Sequence, residues 1–576
     1  MPIFSINHTE SNDIDLHNLE KTYISSADDI ANEYNPFRLK EIQNYNPIYN
    51  RFFTLSETNY NSIQLDHNLH MVSMDQVKDI SNSTIHNMPV FIKYSPLLDP
   101  IRYMIGKYTK DGENIYKLPH YNANGFPKID DYNNAAYTDC FFYYLTSKIL
   151  HEYKFMHGID FYGSFVGIQD KYKMNVVDDM EYLMTSSYFN ENIDKLFTVC
   201  DHDTQSYFAE SSRANRARLR ISSSNPHNIS AISLSDCLVS DDLTQIGSLT
   251  DTDTEIVYDN ASISNTPHTS TNSVSHSSSS SEEDSDCNDS SDEEPSSHSD
   301  DDESWETDTR SCDESDDSLS TEMEDTQYGY INNFPVQLIC LEQCSGTLDE
   351  LFSTRALNED TAASALFQVI MMLVAYQKMF HFTHNDLHTN NIMYIVTDKP
   401  FLYYKYENLV YKVPTYGKIF KLIDFGRSIY KYKGKTMCSD SFGPGGDAAT
   451  QYNCEPYIDE TKPIIEPNYS FDLCRLGCSI YDFIIPDDVR YVQYDDLQKT
   501  VYRWCMDDRG KNVLYKKNGE ERYPNFKLYK MAARTVHDHT PQEQLNHSYF
   551  KQFLYTNPNN TIDQECMNID ELPCCA

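Results

Sequence analysis

No glycine occurs in the first 105 residues; the first is Gly106. That absence excludes a G-x-G-x-x-G loop from the amino-terminal stretch. The fifteen cysteines contain no C-x-x-C pair. Two pairs stand four apart, Cys340/Cys344 and Cys474/Cys478, a spacing that reads as small buried hydrophobes and not as metal ligands. Reduced thiols are expected, with no disulfide framework. Basic residues are few, 46 against 88 acidic ones, for a net charge of -42. Binding a phosphate backbone needs stripes of Lys and Arg, so no nucleic-acid partner is expected. Long apolar runs are missing too. The longest, Val369 to Tyr376, is far short of the ~20 residues of a membrane span. The opening MPIFSINHTESND has neither a basic region nor an apolar core, so no signal peptide is expected. The closing Pro573-Cys574-Cys575-Ala576 is not a CaaX box, which needs its Cys fourth from the end. A soluble, cytosolic protein is the expectation.

What is present falls into two regimes. Between Ser281 and Asp325 there are 21 acidic residues and one basic residue, Arg310. That stretch of serine and acid cannot offset its ordering entropy, so residues 203–330 are expected to form a disordered acidic insertion. Insertion is thermodynamically cheap, because closure cost grows only with the logarithm of length. The segments on either side can therefore belong to one domain. Ser281-Glu-Glu-Asp284 fits acid-directed phosphorylation and Arg218-Leu-Arg-Ile-Ser222 a basophilic kinase. The insertion can equally be a spacer or engage a basic partner.

Residues 1–35 read as a polar, irregular tail and 36–202 as globular. Met88 to Tyr94 is strand-like. Ala135 to Tyr153 is helical, with Phe141, Leu145 and Ile149 on one face. Order resumes at 331, with a buried strand over Phe334 to Cys344 and an amphipathic helix over Asp360 to Phe380. A strand follows from Ile392 to Val396. Phe401 to Tyr406 and Leu409 to Val413 flank Glu407-Asn408 and read as a hairpin. Mainly helical segments run to 555, and residues 556–576 read as a tail.

The informative stretch is Thr383-His-Asn-Asp-Leu-His-Thr-Asn-Asn-Ile-Met393, followed by Lys421-Leu-Ile-Asp-Phe-Gly426. Phosphoryl transfer needs a carboxylate to orient the accepting hydroxyl and hard oxygen ligands for Mg²⁺. Asp386 suits the first task, Asn391 and Asp424 the second.

HxDLxxxN followed by DFG resembles the catalytic and metal-binding pair of the protein-kinase superfamily. Here it reads His384, Asp386, Leu387, Asn391, then Asp424-Phe425-Gly426. FLYYKYENLVYKVPTYGKIFKLIDFGR and GDAATQYNCEPY are most similar to serine/threonine kinases of nucleocytoplasmic large DNA viruses, the mimivirus-like ones. Tyr469 to Asp482 resembles the central helix of the kinase C-lobe, and Thr540 to Phe550 its last helical segment.

The resemblance implies an α+β, bilobal fold with a β-rich N-lobe and a mainly helical C-lobe. It implies ATP and Mg²⁺ or Mn²⁺ as cofactors, protein substrates, and a host cytoplasm or virion location. Asp386 would be catalytic. Lys93 would bind the phosphates, Glu342 and Cys344 would bind adenine through the hinge backbone, and Leu341 would be the gatekeeper. Asn391 and Asp424 would hold metal, Asn391 also touching ATP. Asp139 would pair with Lys93, and His384 and Asp472 would support the catalytic loop.

The chain departs from the family pattern in several places. The glycine loop is missing ahead of Lys93, Asn385 stands for the usual Arg, and His388 for the usual catalytic-loop Lys. A His there would be only partly charged near pH 7. Glu460 is the best stand-in for the acid that ends the activation segment. Gly443-Pro-Gly-Gly446 reads as a turn or an anion cradle, and His537 and His539 as structural. A pseudokinase scaffold and a small-molecule phosphotransferase stay open as alternatives.

Overall fold

The computed structural model describes residues 4–199, 327–486, 491–517, 519–524, 526–556 and 565–576. The largest sheet has five strands: β1 (Leu39–Gln43), β2 (Val90–Pro96), β3 (Phe161–Asn175), β4 (Phe197–Val199) and β5 (Tyr328–Glu342). They lie in the order β1-β3-β5-β2, with β4 beside β5, and every pairing is antiparallel. β5 follows the acidic insertion and β3 precedes it, so one sheet is built from both sides. All described residues belong to one compact unit. The expectation of disorder over 203–330 falls outside the described residues, except at its end. There it is corrected: β5 begins at Tyr328, which pairs with Asn175. Alternating Tyr328 and Tyr330 extend the strand, with Tyr330 fully buried.

A separate three-stranded sheet, Leu69–Ser73, Gln76–Asp79 and Thr84–Asn87, leads into β2. Val90 pairs with Glu342 and Lys93 with Ile339. The preceding sheet therefore continues from the Glu342 end of β2, where Val90 N–H donates to Met74 O at 2.8 Å.

Helix α1 (Ala135–Tyr153) starts at Asn134, whose side chain accepts from the Ala136 N–H, and ends at left-handed Lys154. Its stripe Phe141, Leu145 and Ile149 is fully buried. α2 (Glu359–Phe380) opens on a capping box between Asn358 and Thr361 and stops at left-handed His381. It is long and apolar enough to cross a membrane, yet 94% of its apolar window is buried inside the protein. It passes every face to a neighbour because strands, helices and α1 aromatics surround it.

β6 (Ile392–Val396) follows. The hairpin of β7 (Phe401–Tyr406) and β8 (Leu409–Pro414) then turns through Glu407 and Asn408, both left-handed. After it come β9 (Lys418–Leu422), paired with β6, and the β10 (Ile429–Tyr432)–β11 (Lys435–Cys438) hairpin. α3 (Phe471–Ile484), α4 (Asp496–Trp504) and α5 (Lys527–Thr535) complete the larger helices. Thr540 to Phe550 forms two short helices, Pro541–Gln544 and Ser548–Lys551. The protein is thus a mixed α and β structure with several small sheets.

Among the described residues, the segments at both ends are docked on the body. Residues His8–Glu10 pair with Ile63–Leu65, and Leu16–Thr22 is helical with Leu19 buried. Phe4 is buried beside Tyr432, whose hydroxyl accepts from Ile6 N–H at 3.2 Å. At the other end β12 (Met567–Asn568) adds in parallel to β7. The Asp570 carboxylate accepts from the Glu407 and Asn408 N–H groups at 2.7 and 3.0 Å, so it caps the hairpin turn. A few spaced apolar anchors and one acid dock these segments, and an average over polar composition hides them.

His157, in the turn between α1 and β3, is fully buried. Its Nδ1–H donates to Phe420 O at 2.7 Å, and Nε2 accepts from the Tyr404 hydroxyl at 2.7 Å. Burial pushes its pKa down to about 4. Between that value and its unfolded value, the unfolded chain binds a proton that the folded chain refuses. Stability is therefore lost as pH falls through this window. From pH 7 to 4.5 the His157 share is about 2 kcal/mol. In urea unfolding, His157→Gln should lose correspondingly less stability than wild type over that range; equal losses would refute the assignment.

Candidate active site

Four separated segments meet around Lys93. Strand β2 presents Lys93 to the interior, where its Nζ lies 2.8 Å from Asp139 Oδ2 and 2.8 Å from Asp424 Oδ1. All three side chains are buried. Asp139 and Tyr143 are four apart on α1 and share a face. That face grips the next segment: Asp139 Oδ1 accepts from Phe425 N–H at 2.7 Å, and Tyr143 Oη accepts from Asp424 N–H at 2.8 Å. Asp424 is left-handed, with φ 59°. Phe425 fills the space beneath, with ring centroids 4.6 Å from Phe142 and 5.7 Å from His384. Burial opposes the charge on Lys93, but Asp139 and Asp424 overcome it and raise its pKa well above normal. Burial raises the Asp139 carboxyl to about 6, against the pull of Lys93.

The loop after α2 is fixed from below by α3. Asp472 Oδ2 accepts from His384 N–H and its Oδ1 from Asn385 N–H, each at 2.9 Å. Burial raises the Asp472 pKa in spite of these bonds. His384 Nε2–H donates to Ile423 O at 2.8 Å, joining the loop to the Asp424 segment. Asn385 has φ 64°, a conformation that Asn tolerates better than Arg. Its amide explains the tolerance here: Oδ1 accepts from the Tyr452 hydroxyl at 2.7 Å, and Nδ2 donates to Arg427 O at 3.0 Å.

Asp386 Oδ1 accepts from the Tyr529 hydroxyl at 2.9 Å, and its Oδ2 lies 3.7 Å from Arg427 Nη1. Burial alone would raise this carboxyl. Arg427 first, then His388, Arg475 and the Tyr529 bond, hold it at about 2 instead. Arg427 also binds Asp447 at 2.5 Å. Asn391 Nδ2 donates to Asp386 O at 2.9 Å and to His388 Nε2 at 3.1 Å. Its Oδ1 is buried with no hydrogen-bond partner. Burial lowers the His388 pKa to about 4, against the pull of Asp386.

The structure therefore brings together Lys93, Asp139, Asp424, His384, Asp386, Asn391 and Asp472. It does not bring the side chains of Glu342 and Cys344 into that cluster. Glu342 lies three strand residues along from the position opposite Lys93, roughly 10 Å at the rise of a strand. Its backbone N–H donates to Asp160 O at 3.0 Å, at the end of the β3–β5 pairing. Its carboxylate binds the Lys421 ammonium and accepts from Asp160 N–H at 2.9 Å. Gln343 N–H donates to Pro89 O at 3.3 Å. Among the described residues no backbone acceptor takes the Cys344 N–H.

Glu460 is exposed in a turn and forms no ion pair among the described residues. The Gly443–Gly446 cluster is a turn held by its own carbonyls, and a Cβ on Gly446 would meet Ser441 O at 2.2 Å. His537 pairs with Asp508, and His539 bonds Met506 O. Tyr143, Arg427, Tyr529 and Arg475 are missed by sequence reasoning. Arg427 is signalled only by following Gly426, and Tyr143 by its four-residue spacing from Asp139. Nothing local marks Tyr529 or Arg475, which arrive from distant helices.

No group of three or more His, Cys, Asp or Glu side chains able to hold a metal occurs among the described residues. No protein-family model matches the chain, and no curated protein matches it.

Proposed function

We propose that the chain is an ATP-dependent serine/threonine protein kinase with a bilobal, kinase-like fold. The observation that carries this reading is the convergence of Lys93, Asp139 and Asp424 beside Asp386 and Asn391, from segments hundreds of residues apart. Two hard oxygens are available to a small cation: the Asp424 carboxylate and the buried, unpartnered Asn391 Oδ1. Magnesium usually takes only one or two protein oxygens and completes its shell with water and substrate phosphates, so the small donor set fits it. An ion held by Asn391 and Asp424 would neutralise phosphate oxygens.

The protein's own groups do the rest. Lys93 holds phosphate oxygens while Asp139 keeps its ammonium in place. The Cys344 N–H is the donor left for adenine. Asp386 stays ionised at every working pH. It orients the acceptor hydroxyl and takes its proton as the new P–O bond forms and the bond from the γ-phosphorus to the bridging oxygen breaks, releasing ADP. Tyr529 fixes one of its two oxygens in direction.

Two observations keep rivals in play. The sheet ahead of β2 continues from the Glu342 end and contains no glycine, which favours a scaffold without turnover. His388 in place of a lysine favours a small-molecule phosphotransferase. The test is transfer of labelled γ-phosphate from ATP, with Mg²⁺ or Mn²⁺, to a protein mixture and separately to small alcohols and aminoglycosides. Label in protein is the expected result. Label only in small acceptors, or in nothing, would replace the kinase reading by one or other rival.

A further inference from the structure

The cations around Asp386 are not equally committed. Lys93 lies between two carboxylates, Asp139 and Asp424. Arg427 lies between Asp447 and Asp386. Arg475 differs from both. On α3, one turn beyond Asp472, it donates Nε–H to the Tyr529 hydroxyl at 2.8 Å, and that hydroxyl donates to Asp386. Its guanidinium stands 5.2 Å from the centre of the Tyr529 ring. Among the described residues no carboxylate comes within ion-pair distance of it, and its terminal nitrogens have no protein acceptor. It is part-exposed, so those nitrogens are not sealed in the core.

His388 holds the loop position two residues past Asp386. Its Nε2 accepts a hydrogen bond from Asn391 Nδ2, and that amide's orientation is set by its second bond to Asp386 O. An accepting Nε2 carries no proton, so the ring is neutral in this arrangement. The loop therefore provides no cation of its own.

We propose that Arg475 supplies the positive charge that faces the transferring phosphoryl group, from helix α3 instead of from the loop that carries Asp386. This rests on the kinase reading above and adds a catalytic residue to it. The guanidinium is less than two hydrogen-bond lengths from the Asp386 carboxylate. A phosphorus atom under attack lies only ~3–3.5 Å from the hydroxyl that Asp386 orients. A planar fork with free N–H groups matches phosphoryl oxygens in pairs. Charge spread over those oxygens in the transition state is what such a cation stabilises.

The measurement is steady-state transfer by Arg475→Met, with nucleotide binding followed separately by calorimetry. A fall in kcat of roughly 10²–10³-fold, with KM and Kd for ATP little changed, is expected. Adding His388→Lys to Arg475→Met should restore part of the lost rate, because it returns a cation to the loop. Should Arg475→Met fail to fold by circular dichroism, Arg475→Gln can still meet the Tyr529 hydroxyl and has the same expected loss. A variant with wild-type kcat, or one that changes only KM for the protein acceptor, would overturn the assignment. If wild type itself transfers nothing, the kinase reading fails and this proposal falls with it; an active wild type beside an undiminished variant sinks this proposal alone.

Discussion

Asp386→Asn should lower phosphoryl transfer by roughly 10²–10⁴-fold while leaving nucleotide affinity near its wild-type value. The substitution keeps the shape of the side chain, and an amide oxygen can still accept from Tyr529. It removes the negative charge and turns one oxygen into a donor, which then faces Arg427 Nη1 across the present 3.7 Å. No group remains to receive the hydroxyl proton. Because Asp386 is held at about 2, wild-type activity should show no acid limb from this residue between pH 5 and 8. The limb is absent because the carboxylate is fully ionised throughout. Transfer by the variant within tenfold of wild type would remove Asp386 from the mechanism.

Lys93→Met should destabilise the fold by about 3–5 kcal/mol, the usual cost of removing one partner from a buried ion pair. The loss leaves Asp139 and Asp424 facing each other without the ammonium that separates them. Burial already raises the Asp139 pKa, and losing Lys93 raises it further. An acid raised in this way binds more protons folded than unfolded. The variant should therefore recover stability as pH falls through the new pKa, and be worst above it. Adding Asp139→Asn to Lys93→Met should return part of the loss at pH 8 and little at pH 5. Urea unfolding at both values reads this directly, without reference to any activity. A deficit below about 1 kcal/mol at pH 8 would mean that the lysine bears little of the charge balance here.

The two results separate stability from chemistry. Asp386 keeps a hydrogen bond from Tyr529 and has Arg427 at 3.7 Å, whereas Lys93 is enclosed between two carboxylates. Loss of transfer with a stable fold is expected for the first, and loss of both for the second.

Local pattern in the sequence determined a good deal of this protein. The four-residue stripe of Phe141, Leu145 and Ile149 set α1 because a helix repeats near that spacing. Glu407-Asn408 between two β-prone runs set the hairpin, since Asn tolerates the left-handed turn. The spacing of His384, Asp386, Asn391 and Asp424 put hard oxygens and an acid in neighbouring loops, and those residues do lie together. Tertiary structure alone decided the partners. Asp139 and Glu152 are both acids on α1, and only the docking of the helix against β2 put Asp139 on Lys93. The Glu342 amide was consumed by a strand pairing that no local signal marks. Tyr529 and Arg475 reach Asp386 from helices 143 and 89 residues away in sequence. The termini look polar because a few anchors, such as Phe4, Leu19 and Asp570, are diluted by their neighbours. Periodicity and spacing act along the chain and can be read there. Charge pairing, desolvation and hydrogen-bond competition act through space, and they are settled only when distant segments meet.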